Sequence, residues 1–499
     1  MKIIIPMTGK SKRFKDKGIS TPKQFLEIED QMILEHIIKM FPNEKDINLI
    51  ISNEDSQNKE YMSKLNKFKK FNIVSINFQE SGPGGALLES GLLDTEEKVL
   101  LNYCDFSNIW DWNEFNNYIN IHKPDGIVPA YKNLHPHSVY GNDYAFIKEK
   151  NMNILGIQEK ASFTNNKSGE YASTGSYYFK SGHLAKKYIE KVFEKEIFIN
   201  NEVYLSTPFQ EMVNDGLKVM VYHIDYFFQW GTPEDYNEFK YNLKEVKNVE
   251  KEKKIDLNKI NLLVPAAGKS KRFRDKGYVE SKIKLTLNTD TVLKEIFNSF
   301  KNQTLTKCLI LEEDFDEKIN FFDVDFIKIK DSTNGQAESA SLLVKEIKND
   351  LPILIHSADC ILDKTINIEI DNFDIVIFTK ENYRRANLFS KNYGWINVDE
   401  LNDINSFSIK KKPLSENSNV IIGTFLFKNK EIFEQLYTET FKNKKNDKEV
   451  HIDDMVQLAF ENNLNVGQIS SESMVMVGTP IEYEILKYMI YSKQYLNYS

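Results

Sequence analysis

The sequence predicts an α/β fold built as two tandem domains, each with a mixed, mostly parallel sheet covered by helices. Short apolar runs alternate with amphipathic segments in both halves of the 499-residue chain, and this alternation is typical of parallel strands joined by helices. Segment 9–18 (GKSKRFKDKG) also returns as 268–277 (GKSKRFRDKG), differing only where Arg274 replaces Lys15. Because each copy follows an apolar run that ends in proline, the repeat predicts duplication of a whole domain.

The first half carries the secondary-structure signals in order along the chain. Runs of β-branched and apolar residues predict strands at 47–51, 73–76, 99–103 and 127–130. Amphipathic segments between them predict helices at 30–40, 85–93 and 184–194. In sheets of this kind the ligand lies at the carboxyl ends of the strands, so we expect the functional residues there.

A charged segment separates the two halves. Residues 244–257 lack aromatic side chains and are dominated by Lys and Glu, which predicts the end of a terminal helix followed by a linker. The predicted domains are therefore 1–243 and 258–499. Further motifs recur in the same order in both domains: 82–86 with 335–339, 100–105 with 354–359, 175–179 with 423–427, and the Gly-Thr-Pro of 231–233 with that of 478–480.

Composition excludes several classes of protein. A net charge of −8 argues against wholesale nucleic-acid binding. The three cysteines are too few and too scattered for a disulfide framework or a zinc site. The apolar run at the N-terminus is too short for a signal peptide or a membrane span, and no later stretch is long enough. We therefore expect a soluble, cytoplasmic protein that binds neither nucleic acid nor membrane.

The repeated glycine loop predicts a phosphate site. Gly9 lets the backbone approach a phosphate closely, and Arg13 can donate to two phosphate oxygens at once. Lys23 adds a cation after the loop. A P-loop is rejected, because that motif needs a glycine where Ile4 and Leu263 stand. A glycine followed by basic residues is more often a solvated turn, but its duplication together with the preceding strand favours phosphate binding.

Asp105 and Asp359 each follow an apolar run and are candidate Mg²⁺ ligands. Mg²⁺ binds one or two carboxylates together with phosphate oxygens, although an Asp at such a place is commonly a helix cap. The repeat favours the metal role. The carboxylates Glu202 and Glu449 also recur, either as further ligands or as surface or capping residues. Segment 135–137 (His-Pro-His) is weak evidence for a metal and is interpreted as a loop near the ligand pocket.

Several motifs in order resemble the sugar-phosphate nucleotidyltransferases, also called nucleotide-sugar pyrophosphorylases. The resemblance implies two nucleotide-diphospho-sugar transferase domains, with Rossmann-like sheets. It implies Mg²⁺-dependent transfer of a nucleotidyl group from a nucleoside triphosphate to a sugar, polyol or amino-alcohol phosphate, with release of pyrophosphate, for capsule or other surface polysaccharide. The motifs are 6–14 (PMTGKSKRF), 22–23 (PK), 82–86 (GPGGA), 104–105 (CD), 158–160 (QEK), 175–179 (GSYYF) and 230–235 (WGTPED).

The resemblance also implies roles for individual residues. Asp105 and Asp359 would bind Mg²⁺. Catalytic charge would come from Arg13, Lys23, Asp105 and Lys160, while Glu159, Gly175 and Glu202 would contact the acceptor. Nucleotide contacts are expected from Gly9, Lys10, Ser11, Gly82, Gly84, Gly85, Gly268, Arg272, Lys282, Gly335 and Gln336.

The sequence departs from that family at several places. Gln229 and Met476 stand where many members carry a further metal-binding Asp. The second domain lacks the Glu-Lys pair and shows 411–413 (KKP) instead, and Ser281 replaces the proline before Lys282. Two alternatives stay open: a glycosyltransferase of related fold, and a second domain that binds nucleotide without catalysis or regulates the first. The base, the acceptor and the oligomeric state are not specified by the sequence.

Overall fold

The computed structural model describes residues 1–66, 71–77, 80–132, 135, 144–165, 167–249, 255–287, 289–321, 323–362, 372–381, 383, 386, 390–401, 403–411, 413, 415, 418–443, 449–470 and 474–498. Contacts divide the chain into two compact units. Unit 1 comprises Met1–Tyr241 and Tyr491–Ser499, and unit 2 comprises Asn242–Ile490. Within the described ranges, no helix is both long enough and apolar enough to cross a membrane.

Unit 1 alternates strands and helices from its first residue. Its strands are β1 Lys2–Pro6, β2 Glu27–Ile28, β3 Gln31–Met32, β4 Ile47–Ser52, β5 Asn72–Ile76, β6 Val99–Asn102, β7 Phe106–Ile109, β8 Gly126–Tyr131, β9 Ala145–Lys150, β10 Asn153–Glu159, β11 Tyr171–Ser173, β12 Ser176–Phe179, β13 Val219–His223 and β14 Tyr226–Gln229. Its helices are α1 Lys12–Lys15, α2 Ile33–Lys39, α3 Asn53–Gln57, α4 Lys59–Asn66, α5 Gly82–Ser90, α6 Trp112–His122, α7 Gly182–Glu194 and α8 Thr207–Asn214, together with the first part of α9 Pro233–Val249, whose residues from Asn242 onward belong to unit 2.

The main sheet of unit 1 has the order β11-β9-β10-β13-β8-β12-β6-β1-β4-β5. Strands β6, β1, β4 and β5 are parallel. Strand β12 runs antiparallel between β6 and β8, and β9, β10 and β11 pair antiparallel beyond them. The residues of β1, β4, β6 and β8 are almost all buried, as expected for strands covered on both faces. Their side chains join helices α5, α7 and α8 in one core cluster.

Unit 2 has the same sequence of strand directions in its sheet, whose central order is β21-β20-β16-β22-β27-β24-β28. The strands are β15 Ile255–Asp256, β16 Asn261–Pro265, β17 Thr286–Leu287, β18 Asp290–Thr291, β19 Phe300–Lys301, β20 Leu305–Leu311, β21 Asp325–Ile329, β22 Ile353–Ile355, β23 Cys360–Ile361, β24 Ile375–Lys380, β25 Gly394–Val398, β26 Ile404–Ile409, β27 Ser418–Phe427, β28 Val466–Ser470 and β29 Val475–Met476. The helices are α10 Lys271–Arg274, α11 Val292–Phe297, α12 Gln336–Val344, α13 Lys430–Asn443 and α14 Ile452–Glu461, together with the first part of α15 Pro480–Tyr498, whose residues from Tyr491 onward belong to unit 1.

The prediction of a mixed α/β fold is confirmed, and the expected strands and helices of the first half are present with shifted ends. The helix expected at 85–93 begins at Gly82, because Gly82 and Pro83 form its first turn. The helix expected at 30–40 begins at Ile33, since the preceding residues form the hairpin of β2 and β3. The antiparallel share is larger than expected, because β9–β11 fold back as hairpins on the side opposite β5.

The helix expected before the linker, α9, continues to Val249, and residues 255–256 of the expected linker form strand β15. Strand β15 pairs with β19. The segment between α9 and β15 lies outside the described residues.

Candidate functional site

The candidate site of unit 1 lies at the carboxyl edge of strands β1 and β6. The two strands are parallel neighbours, with Ile3 paired to Leu100. The glycine loop follows β1 and Asp105 follows β6, so both arrive at the same edge of the sheet. This adjacency explains why two motifs distant in the chain form one site.

The glycine loop is held open by a short helix. Ser11 has a left-handed backbone (φ 48°) and precedes helix α1, whose Phe14 is buried and anchors the turn. A Cβ atom at Gly9 would meet nothing within 4 Å, so the backbone there is open to a ligand. The backbone N–H of Lys23 donates to Ser11 Oγ (3.2 Å), which ties the second cation to the loop.

Lys23 and Asp105 form an ion pair inside the cleft. Lys23 Nζ lies 2.6 Å from Asp105 Oδ2, and the two side chains are 23% and 17% exposed. Burial alone would lower the pKa of Lys23, but the Asp105 carboxylate outweighs it and raises that pKa above its ordinary value. Lys23 is therefore a permanent cation at this edge of the sheet.

The Gln229 side chain lies beside the Asp105 carboxylate. A Cβ atom at Gly231 would lie 2.9 Å from both Asp105 Oδ2 and the Gln229 amide nitrogen, so these two side chains converge over Gly231. Mg²⁺ accepts one or two carboxylates and completes its shell with phosphate oxygens, amide carbonyls or water. The described residues contain no cluster of three or more His, Cys, Asp or Glu side chains that could hold a metal. Asp105 can supply one carboxylate, which fits a Mg²⁺ ion only if that ion takes its remaining ligands from phosphate and water.

Helix α5 and Glu202 form a second wall of the cleft. Gly82 has φ 76°, and a Cβ atom there would lie 2.9 Å from that of Glu202. Gly84 packs against Val203, where a Cβ atom would meet Val203 Cγ1 at 2.7 Å. These close approaches explain the glycines of segment 82–86, since any side chain would push the helix away from residues 202–203.

Glu159 and Lys160 also line the cleft. Lys160 has a left-handed backbone (φ 57°) after β10, and its Nζ contacts the Tyr204 hydroxyl at 2.9 Å. The ammonium also lies 4.8 Å from the centre of the Tyr204 ring. Glu159 Oε2 accepts from the Ser206 hydroxyl at 2.6 Å. A cation and a carboxylate are thus oriented side by side by residues of the loop before α8.

These features line one cleft of about 900 Å³. Gly84 and Gly85, expected as nucleotide contacts, are buried in helix α5 and are not among its lining residues. His135 is buried beside Tyr131 and Phe227, while residues 136–137 of the same motif lie outside the described residues. The predicted residues that line the cleft are Gly9, Lys10, Ser11, Arg13, Lys23, Gly82, Asp105, Glu159, Lys160, Gly175 and Glu202.

Unit 2 has matching features at its own sheet edge. Gly268 opens the repeated loop, which leads into α10 and Arg272. Lys282, which follows that loop, pairs with Asp359. Met476 pairs with Cys360 in the register that Gln229 takes with Phe106 in unit 1. Because a thioether is a poor ligand for Mg²⁺, this edge offers a weaker metal donor set.

The start of helix α12 in unit 2 is also closely packed. A Cβ atom at Gly335, which has φ 121°, would overlap the Glu449 carboxylate, as one at Gly82 would crowd Glu202 in unit 1. The Gln336 amide donates to the carbonyl of Gly423 at 2.9 Å. The side chain of Gln336 is thus engaged with the protein itself.

The structure aligns the Glu-Lys pair of unit 1 with Ile409 and Lys410, which precede the expected segment 411–413. Ile409 pairs with Gly394 in the hairpin as Glu159 pairs with Ala145. Lys410 then follows with φ 55°, the conformation that Lys160 has in unit 1. The lysine is therefore kept, and only the glutamate is replaced by an apolar residue.

Sequence reasoning missed the residues that orient Glu159 and Lys160 in the cleft of unit 1. Tyr204 and Ser206 lie in an irregular segment before α8, and Tyr103 accepts from the backbone N–H of Leu205 at 3.1 Å. Tyr103 adjoins the motif around Asp105, which was a usable signal. Tyr204 and Ser206 carry no motif, and only the fold brings them to Lys160 and Glu159.

No family model matches this chain, and no curated protein matches it. Solved structures do resemble it over about half of its length. The nucleoside-diphosphate-sugar pyrophosphorylase from Vibrio cholerae RC9 is 19% identical, with a TM-score of 0.38, 48% of this chain and 99% of that chain covered. The inositol-1-phosphate CTP transferase from T. maritima is 16% identical, with a TM-score of 0.37 and coverages of 47% and 90%. UDP-glucose pyrophosphorylase from Acinetobacter baumanii is 17% identical, with a TM-score of 0.37 and coverages of 49% and 93%.

Proposed function

We propose that unit 1 transfers a nucleotidyl group from a nucleoside triphosphate to a phosphorylated small molecule and releases pyrophosphate. The observation that carries the proposal is the cleft itself. It gathers a glycine loop with Arg13, the Lys23–Asp105 pair and the Glu159–Lys160 pair around one volume. A triphosphate needs several cations and a metal-binding carboxylate, and a second phosphate needs a cation of its own at the other end.

The nucleotide end supplies positioning and charge. The open backbone at Gly9 and the guanidinium of Arg13 would bind triphosphate oxygens, and Lys23 would neutralise charge that develops on the leaving pyrophosphate. Asp105, with the Gln229 side chain beside it, would hold a Mg²⁺ ion, which supplies charge neutralisation on the phosphates when bound. The wall formed by Gly82 and Glu202 would receive the base.

The acceptor end needs no general base. A phosphate monoester is already an anionic nucleophile, so orientation and charge neutralisation suffice for attack on the α-phosphorus. Lys160, held by the Tyr204 hydroxyl, would bind the acceptor phosphate. Glu159, oriented by Ser206, would accept hydrogen bonds from hydroxyl or amino groups of the same molecule. The pairing of Lys160 with Glu159 supports an acceptor that carries both a phosphate and a hydrogen-bond donor. A role in surface polysaccharide synthesis stays a prediction.

We further propose that unit 2 arose by tandem duplication of unit 1 and binds a nucleotide at its own glycine loop. The repeated loop, the Lys282–Asp359 pair and the Gly335–Glu449 contact support this proposal. Met476 in the register of Gln229 favours weaker metal binding there. Under this proposal, unit 2 is either a slower transferase or a nucleotide-binding module.

The test is a pyrophosphate-release assay on the full chain, with each of the four nucleoside triphosphates, Mg²⁺ and a set of phosphate monoesters. At least one combination is expected to turn over. Removal of one partly buried cation by Lys23→Met should lower kcat/KM by about 100-fold. The matched control is Lys17→Met, which removes an equal charge from an exposed side chain (65% exposed) and should change turnover little. Undiminished turnover in Lys23→Met would refute the assigned site.

A further inference from the structure

The hairpin of β25 and β26 in unit 2 leads into Lys410, which stands where Lys160 stands in unit 1. The backbone N–H of Lys410 donates to the carbonyl of Tyr393 at 3.1 Å, as that of Lys160 donates to Tyr144 at 2.9 Å. Both lysines have a left-handed backbone. The Lys410 side chain is exposed, and its Nζ lies 3.4 Å from the carbonyl of Asn392.

A carboxylate is also present beside this hairpin, although Ile409 has replaced the glutamate. Asp453 follows Glu449 by four residues, as Ser206 follows Glu202. Each of these glutamates packs against the glycine where a helix begins, Gly82 at α5 and Gly335 at α12. In unit 1 the residue at this position reaches the end of β10, because Ser206 donates to Glu159. In unit 2 the same position is Asp453, which carries a carboxylate of its own.

The Asp453 carboxylate lies directly over the hairpin. A Cβ atom at Gly394 would fall 2.5 Å from Asp453 Oδ2. Gly394 takes the place of Ala145, so the absence of a side chain there makes room for the carboxylate. Burial raises the pKa of Asp453 to about 6, and the charge of Lys410 partly offsets that rise. Because Ile409 pairs with Gly394, the backbone of Lys410 lies next to the glycine that the Asp453 carboxylate covers.

We propose that Lys410 and Asp453 form an acceptor pocket within unit 2 for a small phosphate monoester that carries a hydroxyl or amino group. The lysine would bind the phosphate, and the carboxylate would accept from the donor group. The carboxylate has moved from the hairpin to helix α14, so the pair missing from the sequence motif is rebuilt in space. Ile409 makes this pocket less polar than that of unit 1, which favours a smaller ligand. The inference rests on the proposed function of the acceptor end of unit 1.

Calorimetry on the full chain tests the pocket. O-phosphoethanolamine and glycerol 3-phosphate serve as probes, and all variants carry Lys160→Met to remove the acceptor cation of unit 1. We expect this background to keep one site. Adding Lys410→Met should weaken it by about tenfold or more, the loss of a charge-assisted hydrogen bond. Adding Lys411→Met, which removes the neighbouring exposed lysine, should leave it unchanged.

The role of Asp453 is read from selectivity. Adding Asp453→Asn should weaken the binding of O-phosphoethanolamine by several-fold and leave the binding of inorganic phosphate unchanged. The pocket is overturned if the background binds neither probe, or if Lys411→Met weakens binding as much as Lys410→Met. Pyrophosphate release by the wild-type chain is measured in parallel. Its absence counts against nucleotidyl transfer, whereas the calorimetric outcome bears on the pocket alone.

Discussion

The Lys23–Asp105 pair is the most exacting place to test the structure of the cleft. At 2.6 Å between Lys23 Nζ and Asp105 Oδ2, the Coulomb energy is about 6 kcal/mol at an effective dielectric constant of about 20. Both groups lose hydration in the cleft, which offsets much of that energy. With side chains only 23% and 17% exposed, we expect a net coupling energy of about 2 kcal/mol in a double-mutant cycle.

Tryptophan fluorescence can report the unfolding of unit 1 separately. Three of the four tryptophans, Trp110, Trp112 and Trp230, lie in unit 1, and only Trp395 lies in unit 2. A Trp395→Phe background removes the signal of unit 2, and Phe146 already occupies the corresponding hairpin position in unit 1. Urea unfolding of this background gives the free energy of unfolding for each member of the cycle.

The cycle combines Lys23→Met, Asp105→Asn and both together. A matched cycle on Lys17 and Glu234, which lie 3.9 Å apart with side chains 65% and 61% exposed, should give less than about 0.5 kcal/mol, as exposed pairs do. If the Lys23–Asp105 coupling is no larger than that of this control pair, the two side chains are not held together in the cleft.

Two further predictions concern packing and pH. Gly84→Ala places a Cβ atom 2.7 Å from Val203 Cγ1 and should lower the free energy of unfolding by about 1–2 kcal/mol. The control Gly9→Ala adds a Cβ atom in open space and should change the free energy of unfolding by less than about 0.5 kcal/mol. Equal effects of the two variants in urea titrations would contradict the packing of helix α5. The pKa of Asp453 is raised from 3.8 to about 6 in the folded state, so the stability that its protonated form contributes is largely present at about pH 4 and is lost as the pH rises through about 6. Asp453→Asn should therefore raise the midpoint of thermal unfolding at about pH 8 and leave it unchanged at about pH 4; a shift that is the same at both values would mean that the carboxylate is solvated.

The nucleotide end of the site was predictable from the sequence because its residues follow strands. The glycine loop and Asp105 end two apolar runs, and parallel strands bring such ends to one edge. Gln229 was singled out by sequence as a departure, and the structure brings it beside Asp105 over Gly231. The nucleotide end could therefore be located from local sequence patterns, namely motifs that directly follow apolar runs.

The acceptor end was less predictable because it depends on register and on irregular segments. Lys410 was missed because comparison of residue types favoured segment 411–413, whereas the hairpin pairing of Ile409 with Gly394 fixes the correspondence. Tyr204 and Ser206 reach Lys160 and Glu159 through long-range contacts. No local pattern encodes such contacts, so only the folded chain brings them to light.

The fate of a labelled phosphate tests nucleotidyl transfer most directly. The full chain is incubated with Mg²⁺, the acceptor that releases most pyrophosphate, and nucleoside triphosphate labelled with ³²P at either the α- or the γ-phosphate. We predict that the α-label appears in a new product that resists phosphatase, that the γ-label appears only in pyrophosphate, and that Asp105→Asn abolishes both. Transfer of the γ-label to the acceptor, or an α-label that stays in nucleoside mono- or diphosphate, would contradict the account.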